Sequence, residues 1–160
     1  EWLDSPVVYR ADPAFLAQMR AAVQQVHLPE RTHYHYLHMA RKNYREYLQG
    51  ETVRLKKYLY VLRPLLACLW VEQGRGVAPM RFQDLVDGLV SDEPLRAAID
   101  ALLRVKRASQ ESQYGQPMPV INAFIERELA RLEQAAPPVS TLVDFAVLDR
   151  LLLTTVTGSD

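Results

Sequence analysis

Residues 53–73 limit the possible folds of this chain more than any other segment. Beyond its first turn the segment is apolar on almost every side, and Gly74 follows it as a helix stop. A helix that is apolar all round has to be covered by neighbours, so the pattern predicts the central helix of a bundle. Pro64 removes one backbone hydrogen bond from this helix and crowds the carbonyl of Tyr60, which predicts a kink. The kink either fits the helix to its neighbours or re-aims Arg63 and frees that carbonyl at a functional surface.

Helix start and stop signals predict further helices on both sides of the central one. Asp12 followed by Pro13 marks the start of the first helix, and Thr32 is a candidate cap for the second. A capping box of Thr141 with Asp144 would begin the last helix. The sequence shows no alternating strand pattern, and its polar stretch at 109–119 indicates a loop. The predicted helices cover, to within a few residues, 13–26, 32–49, 53–73, 82–89, 91–108, 120–135 and 141–155.

These patterns predict an all-α fold. We expect a helical bundle of about six or seven helices with a kinked central helix, forming a single helical domain over residues 1–160.

Charged and aromatic residues gather in one stretch of an otherwise balanced chain. The whole chain carries 19 Lys/Arg and 19 Asp/Glu. Residues 31–63, here called the cationic segment, hold eight of the basic residues against two of the acidic ones. The same segment holds three of the four histidines and six of the eight tyrosines. Cations, imidazoles and phenols gathered on adjacent helices are typical of a phosphate-binding surface.

Helical spacing predicts which side chains of the cationic segment share a surface. Lys56, Tyr60 and Arg63 lie at i, i+4 and i+7 of the central helix and therefore share one face. Two helices joined by a short turn are normally antiparallel neighbours, so the polar face of the preceding helix would line the same groove. Alternatively, these cations are only the solvated faces of two amphipathic helices whose tyrosine rings lie in the core. The candidate substrate-binding residues are Lys56, Lys57, Tyr60, Arg63, His35 and Lys42.

Other patterns exclude several classes of function. Cys68 is the one cysteine, so the chain has no disulfide framework and lacks the usual ligands of zinc. No apolar run is long enough to span a bilayer, and we expect a cytoplasmic protein without membrane contact. His33, His35 and His38 do not share a helical face, which argues against a metal site. A Gly-rich phosphate loop is absent, and no catalytic residue is predicted.

Strings in and around the cationic segment resemble a known family. HYLHMARKNYREYL (residues 35–48) and VRLKKYLYVLRPLLACLW (residues 53–70) are similar to predicted nucleotidyltransferases of the DNA polymerase β superfamily. The members in question are associated with the RNA-repair RNA ligases of bacteria and phages. EWLDSPVVYR (residues 1–10), PMRFQDLV (79–86) and PVINAFIERELARLE (119–133) resemble other parts of that family, so the resemblance runs from end to end.

The resemblance implies that this chain is one half of an enzyme. Members of the superfamily carry a Gly-Ser motif and an Asp-x-Asp pair on an N-terminal α/β domain, where the aspartates hold two magnesium ions. This sequence has no Asp-x-Asp pair, so it resembles the C-terminal helical portion, with the N-terminal catalytic domain of the same protein as its partner. The resemblance would place Lys56, Lys57 and Arg63 near a nucleoside triphosphate, with RNA as a further candidate ligand. The other three candidates would line the groove.

Two other functions stay open at this point. One is a non-catalytic helical module that binds RNA or protein. The other is a ribonuclease of the HEPN type, because Arg31 and His38 loosely match its Arg…His spacing. That match is weak, since Arg31 is expected to precede the second helix.

Overall fold

Seven α-helices and a minimal two-stranded sheet make up the part of the chain that the computed structural model describes, residues 2–108, 114–140 and 142–158. The prediction of an all-α bundle of six or seven helices is therefore confirmed. A short 3₁₀ turn at Trp2–Asp4 precedes the helices. The elements are α1 (Pro13–Val26), α2 (Pro29–Tyr47), β1 (Val53–Arg54), α3 (Lys57–Glu72), α4 (Phe82–Leu89), α5 (Glu93–Ala108), β2 (Tyr114–Gly115), α6 (Pro119–Gln134) and α7 (Ala146–Thr157).

Helix α3 is the central helix, as predicted. Ten of its sixteen residues are buried, and it packs against α2, α4 and α6. Leu62, Leu65 and Leu66 are fully buried along it. Burying one such side chain contributes about 1.5–3 kcal/mol, so the apolar character of α3 is the main source of the core.

Pro64 lies inside α3, and the helix continues through it. Because proline has no amide hydrogen, the carbonyl of Tyr60 loses its partner four residues later. Asn43 of α2 takes that place, since its Nδ2 donates to the Tyr60 carbonyl at 3.0 Å. The carbonyl that proline releases is therefore used to join α2 to α3, which supports the interpretation that Pro64 fits the helix to its neighbours.

The start of α2 differs from the prediction. The helix begins at Pro29, because a proline at the first helical position has its φ already set and has no amide to satisfy. Thr32 lies inside α2, and its hydroxyl donates to the carbonyl of Leu28 at 3.0 Å. Thr32 as a cap was therefore wrong, and so was the expectation that Arg31 precedes the helix.

The sheet is a clip formed by β1 and β2, and the sequence did not predict it. Val53 pairs with Gly115 and Arg54 with Tyr114, in antiparallel register. The predicted start of the central helix at Val53 was wrong, because β1 occupies that position. A Cβ on Gly115 would lie 3.0 Å from Cδ1 of Leu55, so glycine permits the close approach. The clip ties the start of α3 to the connection between α5 and α6.

Aspartates bond to backbone amides at the starts of the first and last helices. Asp12 was predicted correctly, since its Oδ1 accepts hydrogen bonds from two amides of the first turn of α1 at 2.8 and 3.0 Å. At α7, Asp144 Oδ1 accepts from the amide of Ala146 at 2.9 Å. The predicted start of the last helix at 141 was wrong, because α7 begins at Ala146 and Asp144 precedes it. Thr141, the predicted partner of Asp144, lies outside the described residues. Within the described ranges, no helix has both the length and the apolar character that crossing a bilayer requires.

Candidate phosphate-binding site

Helices α2 and α3 pack side by side and form the most extensive contact between elements. Along this contact, residue numbers rise on α2 while those of the partner residues on α3 fall. His35 lies in one cleft with Arg63, Asn43 binds the Tyr60 carbonyl, and the Tyr47 ring meets Lys57. The helices are thus antiparallel, as predicted, and their contact is here called the α2–α3 seam. All six candidate residues lie on its two helices or at the start of α3.

One group of candidates meets at the start of α3. Lys56, Lys57 and Tyr60 line an open cleft of about 180 Å³ together with Arg54 of β1, here called the lysine cleft. Lys57 Nζ lies 3.7 Å from the centre of the Tyr47 ring and 4.8 Å from that of Tyr60. These cation–π contacts position the Lys57 ammonium. Three cations around one small cleft can hold an anion through charge-assisted hydrogen bonds.

A second group lies further along the seam. His35, Tyr36, Met39, Arg63 and Pro64 line an open cleft of about 320 Å³, here called the proline cleft. Its volume falls in the range of small-molecule sites, about 300–1,000 Å³. Arg63 Nη1 donates to the carbonyl of Met80 at 2.7 Å, and this bond fixes the guanidinium at the edge of the cleft. Pro64, which is buried, is part of the lining of the cleft.

Lys42 is the candidate that no described contact or cleft joins to the other five. It is exposed on α2, whereas its neighbour Asn43 faces α3. The structure thus brings Lys56, Lys57 and Tyr60 together and brings Arg63 and His35 together, while Lys42 lies exposed on α2.

Three residues beside the lysine cleft were missed by sequence reasoning. Arg54, Tyr47 and Tyr114 line a further cleft of about 180 Å³, here called the clip cleft, which shares Arg54 and Lys57 with the lysine cleft. A hydrogen bond to Glu46 raises the pKa of Tyr47. Tyr114 reaches this place from β2, sixty positions along the chain from Arg54. No local spacing could have indicated it.

Other cations of the chain are held in structural ion pairs. Arg41 pairs with Glu133 and so joins α2 to α6. Arg131 donates through both terminal nitrogens to Glu72, at 2.8 and 2.6 Å, and through Nε to Glu128 at 2.9 Å. Hydrogen bonding to Arg131 lowers the pKa of Glu72. The charges of Arg41 and Arg131 are thus compensated by acids and hold helices together.

The histidines of α2 lie in different environments. His33 is buried at 1% exposure and neither ring nitrogen has a hydrogen-bond partner among the described residues, while His35 and His38 are exposed. Burial lowers the pKa of His33, partly offset by Glu72 and reinforced by Arg131. Within the described part of the chain, no group of three His, Cys, Asp or Glu side chains could hold a metal ion.

Comparisons with known proteins agree with the resemblance seen in the sequence. The model of the RNA repair pathway DNA polymerase beta family matches residues 1–154. A Bacillus subtilis (strain 168) protein called "Uncharacterized protein YcgL" is 40% identical over 158 residues. The match covers 98% of this chain and 61% of that relative, so the chain spans about three-fifths of the relative's length. No solved structure matches the chain.

Proposed function

Because this chain belongs to the RNA repair pathway DNA polymerase beta family, we propose that it is the helical substrate-binding domain of a metal-dependent nucleotidyltransferase. Its α2–α3 seam binds the phosphates of a nucleoside triphosphate. The transferase activity belongs to a longer protein, whose N-terminal catalytic domain is the partner of this one. We further propose a cytoplasmic setting, because the single cysteine of the sequence provides no disulfide framework.

The lysine cleft is the observation that carries the proposal. Its lining consists of Arg54, Lys56, Lys57 and Tyr60, which is three cations and one phenol. Lysine supplies a compact point charge and arginine a planar fork, and both suit phosphate oxygens. The tyrosine hydroxyl can donate a further hydrogen bond to an oxygen.

Arg63 and His35 extend this surface along the seam. Tyr60 and Arg63 are three residues apart on α3, or about 4.5 Å along the helix axis. A triphosphate bound in the lysine cleft would thus have a second cationic group one turn away, with His35 facing it from α2. Lys42, exposed on α2, would act through its charge at longer range.

Magnesium would be held elsewhere in the longer protein. Two-metal centres need paired carboxylates, and the described residues of this chain offer no cluster that fits. Binding by this chain therefore depends on its own cations. The longer protein would bring carboxylates and magnesium to the other side of the substrate.

Calorimetric titration of the 160-residue chain with ATP tests the proposal. Lys56→Ala and Arg63→Ala should each weaken binding by about tenfold or more, since a charge-assisted hydrogen bond contributes about 1.5–3 kcal/mol. The matched controls are Lys106→Ala and Arg104→Ala, which remove exposed cations of α5. Affinity that is unchanged in both seam variants refutes the proposal. Because Arg63 also bonds Met80, circular dichroism must first show that Arg63→Ala is folded, and Lys57→Ala provides a second test.

The family gives no support to the HEPN-type ribonuclease alternative. Arg31 and His38 both lie on α2, and both are exposed. The remaining alternative is a non-catalytic module that binds RNA or protein. As an RNA-binding module it would use the same cations, and the ligand it prefers separates it from the proposal.

A further inference from the structure

Exposed apolar side chains are unevenly distributed over this molecule. Sixteen large hydrophobic side chains are exposed among the described residues, and eleven of them lie within residues 7–15 and 139–156. Those two ranges belong to α1, to α7 and to the segments that lead into these helices, and α1 and α7 pack against each other. Single exposed apolar residues are normal, whereas a group of them marks a surface that contacts another molecule or domain.

Helix α7 is apolar on two opposite sides. Val147 and Leu151 are half-buried, in keeping with the packing of α7 against α1. On the other side, four apolar residues follow one another at spacings of three, four and four, and so lie in one line along the helix. Their exposure ranges from 36% to 75%. These residues, here called the outer stripe, are Phe145, Leu148, Leu152 and Val156. A helix that is apolar on both sides is expected to be covered on both sides.

Charge is sparse around the outer stripe. Within α7 there is one acid, Asp149, and one base, Arg150. Helix α5 has six charged residues among its sixteen, as expected of a helix with one side in water. Depletion of charge is characteristic of the centre of an interface. The outer side of α7 is therefore composed like a contact surface.

The segment that leads to α7 lies near the proline cleft. The amide of Glu30, in the first turn of α2, donates to the hydroxyl of Ser140 at 3.1 Å. His35, which lines the proline cleft, is five residues further along α2, or about 7.5 Å along its axis. A partner that sits on α7 would therefore be close to the end of the seam that holds the proline cleft.

The catalytic domain of the longer protein is the occupant that these observations favour. The 158 matched residues are 61% of the Bacillus subtilis relative, so about 100 of its residues lie outside the match, enough for a small domain. The proposed function places the catalytic domain before this chain. Arg20 of α1 binds the 3₁₀ turn through the carbonyl of Leu3 at 2.8 Å and through Asp4 at 3.0 Å. The connection between the two domains would thus begin beside α1, the helix on which α7 packs.

A second copy of this chain suits the surface less well. Two α7 helices side by side would cover the two outer stripes. They would leave Val7, Val8 and Leu142 exposed, although these side chains belong to the same group.

We infer that the outer stripe of α7 is the surface on which the catalytic domain of the longer protein docks, through an apolar surface of its own. The inference rests on the proposed function and identifies the contact between the two domains. Docking there holds the catalytic domain at the end of the seam where His35 and Arg63 lie.

Hydrogen exchange followed by mass spectrometry tests the inference on the 160-residue chain and on the longer protein. Docking suppresses the local opening of α7. Peptides from α7 should therefore exchange about tenfold or more slowly in the longer protein, since burying even one leucine contributes about 1.5–3 kcal/mol. Peptides from α5 should exchange equally in the two proteins.

Two substitutions place a charge in the outer stripe. Leu152→Glu and Val156→Glu should each remove the difference in α7 exchange between the two proteins. Because both side chains are exposed, the melting temperature of the 160-residue chain should change by no more than about 2 °C, which shows that the variants are folded. Val120→Glu is the matched control, because Val120 is an exposed valine of α6, and it should leave the protection of α7 intact.

Equal exchange of α7 in the two proteins, or protection that survives both substitutions, overturns the inference. A dimer of the 160-residue chain that sedimentation detects and Leu152→Glu abolishes also overturns it, because a second copy would then cover the outer stripe. Parallel titration with ATP separates these results from the proposed function. Protected α7 without ATP binding refutes the triphosphate site alone, whereas ATP binding and nucleotidyl transfer by a longer protein with unprotected α7 overturn the docking surface alone.

Discussion

Asn43 supplies a hydrogen bond in place of one that α3 lacks, and its removal tests directly how the seam is held together. In α3 the carbonyl of Tyr60 lacks its usual partner because residue 64 is proline, and Asn43 Nδ2 donates to it at 3.0 Å. Asn43→Ala removes that donor. Since Tyr60 is half exposed, water partly compensates, and we expect a loss of about 1 kcal/mol in the free energy of unfolding.

The same substitution should cost much less when the helix can satisfy the carbonyl itself. In Pro64→Ala, the amide of residue 64 regains the position from which a helix donates to Tyr60. Asn43→Ala in that background should then lower the free energy of unfolding by only a few tenths of a kcal/mol. The coupling between the two sites, which is the difference between these costs, is therefore expected to be about 0.7 kcal/mol. Effects of losing the buried proline ring cancel in the cycle.

Urea unfolding of the four chains measures this coupling. With an m-value of about 2 kcal/mol/M, a loss of 1 kcal/mol shifts the midpoint by about 0.5 M. Lys42→Ala provides the control, since the exposed neighbour of Asn43 should have the same small effect in both backgrounds. Equal costs of Asn43→Ala with and without Pro64 would refute the reasoning, because the bond would then not replace the one that proline removes.

Three further predictions concern the core. Burial lowers the pKa of His33 from its ordinary 6.5, so the unfolded chain takes up the proton first as pH falls. At pH values below 6.5, the free energy of unfolding should decrease by up to about 1.4 kcal/mol for each pH unit. The decrease should be less steep in His33→Leu, and equal slopes in the two chains would contradict this reasoning. The Tyr58 hydroxyl accepts a hydrogen bond from the Met118 amide at 2.8 Å and donates one to Asn122 Oδ1 at 2.6 Å. Tyr58→Phe should therefore lower the free energy of unfolding in urea by about 2 kcal/mol. A loss no larger than that of Tyr60→Phe would argue against these two hydrogen bonds. Burial raises the pKa of the Cys68 thiol to about 12. A disulfide reagent at pH 8 should therefore react with Cys68 only when urea unfolds the chain. Rapid reaction with the folded chain would show that the core is open.

Local signals predicted the helices well because they depend on neighbours in the chain. Asp12 before Pro13 set the start of α1, and the period of apolar residues set the bounds of α6 to within one residue. The start of α2 was misjudged because Thr32 can either cap a helix or bond back within one, and Pro29 decided the matter. The clip was missed because strands of two residues carry no alternating pattern and depend on pairing across sixty positions.

The candidate site was predictable within α3 and less so between helices. Spacing at i and i+4 correctly placed Lys56 and Tyr60 in one cleft, whereas Arg63 opens into a different one. On α2 the residue that faces α3 is Asn43 and not Lys42. Consecutive residues of a helix point in directions about 100° apart. Sequence spacing alone does not show which of the two faces the neighbouring helix. Tyr114 could not be found from sequence, because only the fold brings it to Arg54.

Nuclear magnetic resonance titration with ATP reports both whether a nucleotide binds and where it binds, so it decides whether the seam is a phosphate site. We expect saturable shifts in the resonances of Lys57, Arg63 and His35, which line the two clefts of the seam. Resonances of Arg131, whose charge is compensated by Glu72 and Glu128, should stay in place. Absence of shifts at the seam, or shifts confined to the surroundings of Arg131, would show that the seam does not bind the phosphates of a nucleotide.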